Sequence, residues 1–129
     1  MCVRTAVVQV TLPHDPSAPS LARQVVEDAA CRAHHTGALA EAELLVTEVV
    51  TNAFRYGAPP ITLEVTCEAD DGLVVQVGDT GTAAPVPRDT GVDDVSGRGL
   101  ALVDVMSDDW GVEPTRAGKN VWFRLRPPA

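Results

Sequence analysis

Polar and apolar residues alternate most cleanly between Ile61 and Glu68, where Ile61, Leu63, Val65 and Cys67 interleave with Thr62, Glu64, Thr66 and Glu68. Such alternation predicts a half-buried strand. Thr5–Leu12, rich in β-branched residues and ending at Pro13, predicts an opening strand. After a turn from Pro13 to Pro19, Ser17 or Ser20 can cap a helix running to about His35, and Gly37 breaks it. Ala38–Tyr56 is the longest helical stretch. Its Leu45, Val49 and Ala53 recur every fourth residue as an apolar stripe, and Gly57, Pro59 and Pro60 stop it. Asp70-Asp71-Gly72 is a hairpin signal, and Leu73–Val77 a second strand ending at Gly78-Asp79. Thr80–Gly97 shows no period, and connections that long are usually functional or disordered. A short helix is expected from Leu100 to about Ser107. A final hairpin then pairs Trp110–Thr115 with Lys119–Arg126 around Ala117-Gly118, and Val121, Phe123 and Leu125 alternate with Trp122, Arg124 and Arg126. Helices and mostly antiparallel strands without a βαβα rhythm predict an α+β two-layer sandwich, its mixed, mostly antiparallel sheet covered by helices on one face.

Composition narrows the picture. The chain has 129 residues, which favours a single domain over 1–129. Hydrophobic residues make up 45% and charged residues 22%, the balance of a folded chain. Eighteen acidic against ten basic residues leave a net charge of -8, which repels nucleic-acid backbones and anionic lipid surfaces. Neither nucleic acid nor membrane is therefore expected as a direct partner. Cys2, Cys31 and Cys67 are widely spaced, which argues against a disulfide framework or a zinc site. No apolar run approaches the ~20 residues of a membrane span, and Met1–Thr5 lacks a signal-peptide pattern, so a cytoplasmic location is expected.

Three segments carry candidate chemistry. Glu48 and Asn52 lie four residues apart on one helix face, with Tyr56 continuing the row. An amide oxygen there can hold a hard cation, and the carboxylate can deprotonate a hydroxyl or water. The plainer alternative is a solvated helix face. Asp79 follows Leu73, Val75 and Val77 in strand register, so it points to the core face and needs a partner, such as the exocyclic amine of a purine. Its plainer alternative is an Asp-Thr-Gly turn. Gly97-Arg98-Gly99 opens a helix after a long loop, where free N–H groups suit phosphates. It is not a Walker A loop, and alone it is equally a hinge.

Taken together, the order and spacing of these segments resemble the GHKL ATPase superfamily of gyrase, heat-shock chaperones, histidine kinases and mismatch-repair ATPases. The likeness is strongest to its small bacterial anti-sigma factors that are also serine-protein kinases. Glu48–Gly57 resembles their asparagine box, Val77–Gly81 their adenine-binding box, Gly97–Val103 their second glycine box, and Gly118–Leu125 their last strand. The resemblance implies a Bergerat-type ATP-binding fold with ATP and Mg²⁺ as cofactors. It implies Asn52 as the Mg²⁺ ligand, Glu48 as the catalytic base and Asp79 as acceptor for the adenine amine. Gly97 and Gly99 would shape the phosphate site, and Ala83–Ser96 would be the lid. Gly81, Arg98, Leu100 and Asn120 complete the implied nucleotide contacts. Asn120 stands where the family usually has Thr, and the lid carries Pro85 and Pro87.

The implied function is an ATP-binding anti-sigma factor that phosphorylates a serine or threonine of a STAS-type anti-anti-sigma protein. A sigma factor would be the second partner, and homodimerisation is left open. The alternative is a nucleotide-sensing interaction module without catalysis. The catalytic domain of a two-component histidine kinase is not expected, because the 37 residues before Ala38 leave little room for a dimerising phospho-acceptor hairpin and His34-His35 lack flanking heptads. Among the remaining residues, His34-His35, near a helix end, are expected to interact with the helix dipole or to be solvated, and Trp110 and Trp122 to pack. Asp108-Asp109 is expected as a solvated turn, and Arg124 and Arg126 on the outer face of a terminal strand.

Overall fold

The computed structural model describes residues 6–29, 39–68, 72–81 and 95–126, with 95–100 described by their backbone. The chain runs through β1 (Ala6–Leu12), α1 (Ala18–Ala29), α2 (Leu39–Tyr56), β2 (Ile61–Glu68) and β3 (Gly72–Asp79). It continues through α3 (Val95–Met106), β4 (Asp109–Pro114) and β5 (Lys119–Leu125). The strands form one sheet in the order β1-β2-β3-β5-β4, and each neighbouring pair is antiparallel. This is the expected α+β sandwich, with its described pairings wholly antiparallel.

Strand alternation decides which face the helices cover. Ile61, Leu63, Val65 and Cys67 of β2 are buried, as are Leu73, Val75 and Val77 of β3 and Val121, Phe123 and Leu125 of β5. Register aligns them in cross-strand rows, such as Val8-Val65-Val75-Phe123. Ala22 and Val26 of α1, Leu45, Val46, Val49 and Val50 of α2, and Val103 of α3 complete one core with this face. The opposite face carries the row Gln9-Glu64-Gln76-Trp122. Burial of apolar area, at roughly 25 cal/mol per Å², drives the two layers together.

Several boundaries differ from the sequence reading. The helix expected from Leu100 begins at Val95, so Gly97-Arg98-Gly99 lies within its opening turns. Two glycines cost such a helix about 1 kcal/mol each, which made them look like its boundary. Val103, fully buried, and Leu102 and Met106, packed on the core, supply the compensating contacts. β5 is an interior strand between β3 and β4, not a terminal edge, so Arg124 does not sit on an open rim. At the start of α1, Ser17 occupies the cap position, but its hydroxyl and its N–H both donate to Asp15 Oδ1. Asp15 is thus the residue that organises this turn. Gly72 has a φ of +88°, which fits the expected hairpin turn. The expected end of α1 at His35, the break at Gly37, and Cys2 and Cys31 lie outside the described residues.

Candidate functional site

Three chain segments converge where the core face of the sheet turns polar. Asp79 ends β3 in the same inward row as Val75 and Val77, and it is 7% exposed. A carboxylate continuing an apolar row must be held by donors. Its Oδ1 accepts from the Gly81 N–H at 2.7 Å and from Lys119 Nζ at 2.9 Å. Lys119 is the residue paired with Asp79 across β3 and β5, and its ammonium also reaches the Gly81 carbonyl at 3.3 Å. The third segment follows α2. Thr80 donates its N–H to Ala58 O at 2.9 Å and its hydroxyl to Pro59 O at 2.7 Å. These bonds hold the 57–60 loop over Asp79.

Glycines make this approach possible. A Cβ on Gly57 would lie 2.5 Å from Asp79 Cγ and 2.7 Å from each carboxylate oxygen. Any side chain at Gly57 would displace the carboxylate or the end of α2. A Cβ on Gly81 would meet Asp79 Oδ1 at 3.0 Å. The carboxylate therefore sits in a seat whose walls are backbone on two sides and Lys119 on another.

Helix α2 brings the second group of candidates. Asn52 is buried and Glu48, one turn earlier, is half-buried, so this polar row is turned partly inward rather than into solvent. Thr51 and Thr47 satisfy their hydroxyls on carbonyls one turn back, and Arg23 of α1 donates to Thr47 Oγ1 at 3.0 Å. Tyr56, last in the Glu48-Asn52 row, is 49% exposed. α2 packs on β3 and on α3, whose opening turns carry Gly97, Arg98, Gly99 and Leu100. The first four N–H groups of a helix lack intrahelical partners. Counted from Val95, that set still includes Gly97 and Arg98. The expected lid lies outside the described residues up to residue 94, and Val95 and Ser96 belong to α3.

Asn120 stands beside the Asp79 row rather than in it. It pairs with Gly78, one step from Asp79, and so faces the opposite side of the sheet. Its Oδ1 lies against Gly78, where a Cβ would meet it at 2.5 Å and Thr62 Oγ1 at 2.7 Å. Asn120 borders a small cleft that Thr62, Gly78, Asp79, Thr80 and Thr115 also line. The residue on the Asp79 carboxylate is Lys119, which the likeness to the family's last strand passed over. The signal was present, because carrying the Val121-Phe123-Leu125 alternation one step back puts Lys119 on the buried row.

The profile of the histidine kinase-like ATPase domain matches residues 12–125, from the end of β1 to the end of β5. The chain belongs to the histidine kinase-like ATPase family. The match spans the whole described sheet apart from most of β1, and all of its helices. A comparison with curated proteins gives no match. Family membership makes the chain an ATP-binding regulatory domain. Among the described residues, no helix is long and apolar enough to cross a membrane.

The residues fit the implied ligands. A nucleobase amine needs a fixed acceptor beside a wall without side chains, and Asp79 between Gly57 and Gly81 offers both. Mg²⁺ usually takes one or two protein oxygens and completes its shell with water and phosphate. The Asn52 amide oxygen would supply one such ligand, which leaves Glu48, one turn away, as a separate carboxylate.

Proposed function

We propose that this histidine kinase-like ATPase binds ATP·Mg²⁺ and acts as an anti-sigma factor with serine/threonine-protein kinase activity toward a STAS-type partner. The observation that supports the reading most is the glycine-walled Asp79 carboxylate, buried at the end of β3 beneath the helix that carries Glu48 and Asn52. Asp79 would accept from the adenine amine and fix the base. Asn52 would hold the Mg²⁺, which when bound supplies charge neutralisation at the phosphates. Glu48 would take the proton of the partner's hydroxyl as its oxygen bonds to the γ-phosphorus. The bond from that phosphorus to the β–γ bridging oxygen breaks, and ADP leaves with that oxygen. Gly97 and Gly99, near the start of α3, would let the phosphates approach backbone N–H groups. Phosphorylation would release the STAS-type partner and leave the protein free to hold its sigma factor.

Glu48→Ala tests the assignment. Transfer of labelled γ-phosphate to a STAS-type protein should fall at least about a hundredfold, the usual contribution of a general base, while ATP binding is largely kept. Unchanged transfer would remove Glu48 from that role. ATP binding without transfer by the wild-type chain would instead make it a nucleotide-sensing interaction module.

A further inference from the structure

The carboxylate assigned to the base is already engaged. The Asp79 side chain is 4% exposed and that of Lys119 is 9% exposed, so the pair is closed to solvent. Oδ1 carries both the Gly81 N–H and the Lys119 ammonium. An incoming amine that takes Oδ1 must therefore move one of these donors. Gly57 and Gly81 are backbone, fixed by α2 and by the bonds from Thr80 to Ala58 and Pro59. Lys119 holds its charge at the end of a flexible four-carbon stem and is the movable wall.

Composition sharpens this. Lys119 is the only lysine among the ten basic residues of the chain, and the rest are arginines. An arginine would grip the carboxylate with a planar fork, whereas an ammonium is a compact point charge that water solvates readily. Among the described residues, the side chain that closes on Asp79 is thus the cation better suited to leave.

We infer that Lys119 is a displaceable counter-ion that gates the nucleobase subsite: the base amine replaces its ammonium on Asp79, and the lysine swings out to solvent. This rests on the ATP-binding reading above. The exchange trades an ion pair for a hydrogen bond from an uncharged donor to the same carboxylate, which lowers nucleotide affinity and makes binding conditional on releasing the pair.

Three readouts test the gate. Lys119→Met, measured by calorimetry at mildly alkaline pH, should bind ATP about tenfold more tightly than wild type, because no ion pair has to be broken first. Lys119→Arg should bind more weakly than wild type. In the unmodified protein, an amine-reactive reagent read by mass spectrometry should label Lys119 faster when ATP·Mg²⁺ is bound, and this needs no variant to fold. Slower or unchanged labelling at saturating ATP, or equal or weaker ATP binding by Lys119→Met, would overturn the gate and leave the nucleotide reading standing. ATP binding by neither wild type nor a folded Lys119→Met would overturn the nucleotide reading, and the gate with it.

Discussion

At the start of β5, Lys119 Nζ lies 2.9 Å from Asp79 Oδ1, and just past its end Arg126 Nη2 lies 3.0 Å from Asp109 Oδ2. The two ion pairs are nearly equal in length and differ in everything else. The Lys119–Asp79 side chains are 9% and 4% exposed, whereas those of Arg126 and Asp109 are 52% and 45% exposed. The first faces the core side of the sheet, and the second joins the residue after β5 to the first residue of β4. Water and salt screen the outer pair, so its contribution is about 0–1 kcal/mol. The inner pair has exchanged hydration for one partner and a few backbone groups. Such a pair adds little net stability, but losing one member is costly because the other charge stays buried. A site that must bind a polar ligand in a dry seat needs that second kind of pair, or a ligand that substitutes for it.

The largest effect should come from opening the inner pair. Lys119→Met should destabilise the apo protein by about 3–5 kcal/mol in urea unfolding, the usual cost of stranding a buried charge. ATP·Mg²⁺ should recover part of that loss, since a ligand that binds only the folded state stabilises it. A destabilisation below about 0.5 kcal/mol would place the pair in the same class as Arg126–Asp109.

Gly57→Ala should come next. Its Cβ would fall 2.5 Å from Asp79 Cγ. Overpacking of this kind costs about 1–3 kcal/mol, and ATP affinity should drop with it, measurable by thermal melting and calorimetry. The loss of affinity would show that the backbone wall, and not only the ion pair, shapes the seat.

Much of the scaffold was legible because its signals are periodic. Ile61–Glu68 alternates so regularly that its strand, face and neighbours follow from the pattern, and the Leu45-Val49-Ala53 stripe marks α2. The opening of α3 was not legible, since Gly97 and Gly99 disfavour a helix that packing on α2 sustains. Asp79 could be assigned to the buried end of its strand because its row is apolar. Lys119 was not found by analogy, which drew attention to Asn120 beside it, although strand alternation puts Lys119 in the buried row opposite Asp79. Gly57 read as a helix stop, and its contact with Asp79 depends on a fold that brings residues distant in sequence together.

A third carboxylate separates exposure from hydrogen bonding. Asp15 is exposed, yet the Ser17 hydroxyl and then the Ser17 N–H hold its carboxyl below the usual carboxylate range. With the folded pKa depressed, this contribution is present above the unfolded value of about 3.9 and is lost as pH falls through the folded one. Asp15→Asn should lower the melting temperature slightly at neutral pH, and the difference should shrink on acidification. A difference that grows in acid would reverse the sign. The smallest effect should belong to Arg126→Ala, within about 0.5 kcal/mol and fading further in salt. A larger, salt-independent loss would show that the outer pair behaves like the inner one.

The central claim is that Asp79 seats the base of ATP, and calorimetric titration with ATP, with and without Mg²⁺, tests it most directly. Saturable, Mg²⁺-dependent binding by the wild-type chain that disappears in a folded Asp79→Asn variant is the predicted result. Binding that survives Asp79→Asn unchanged would contradict it.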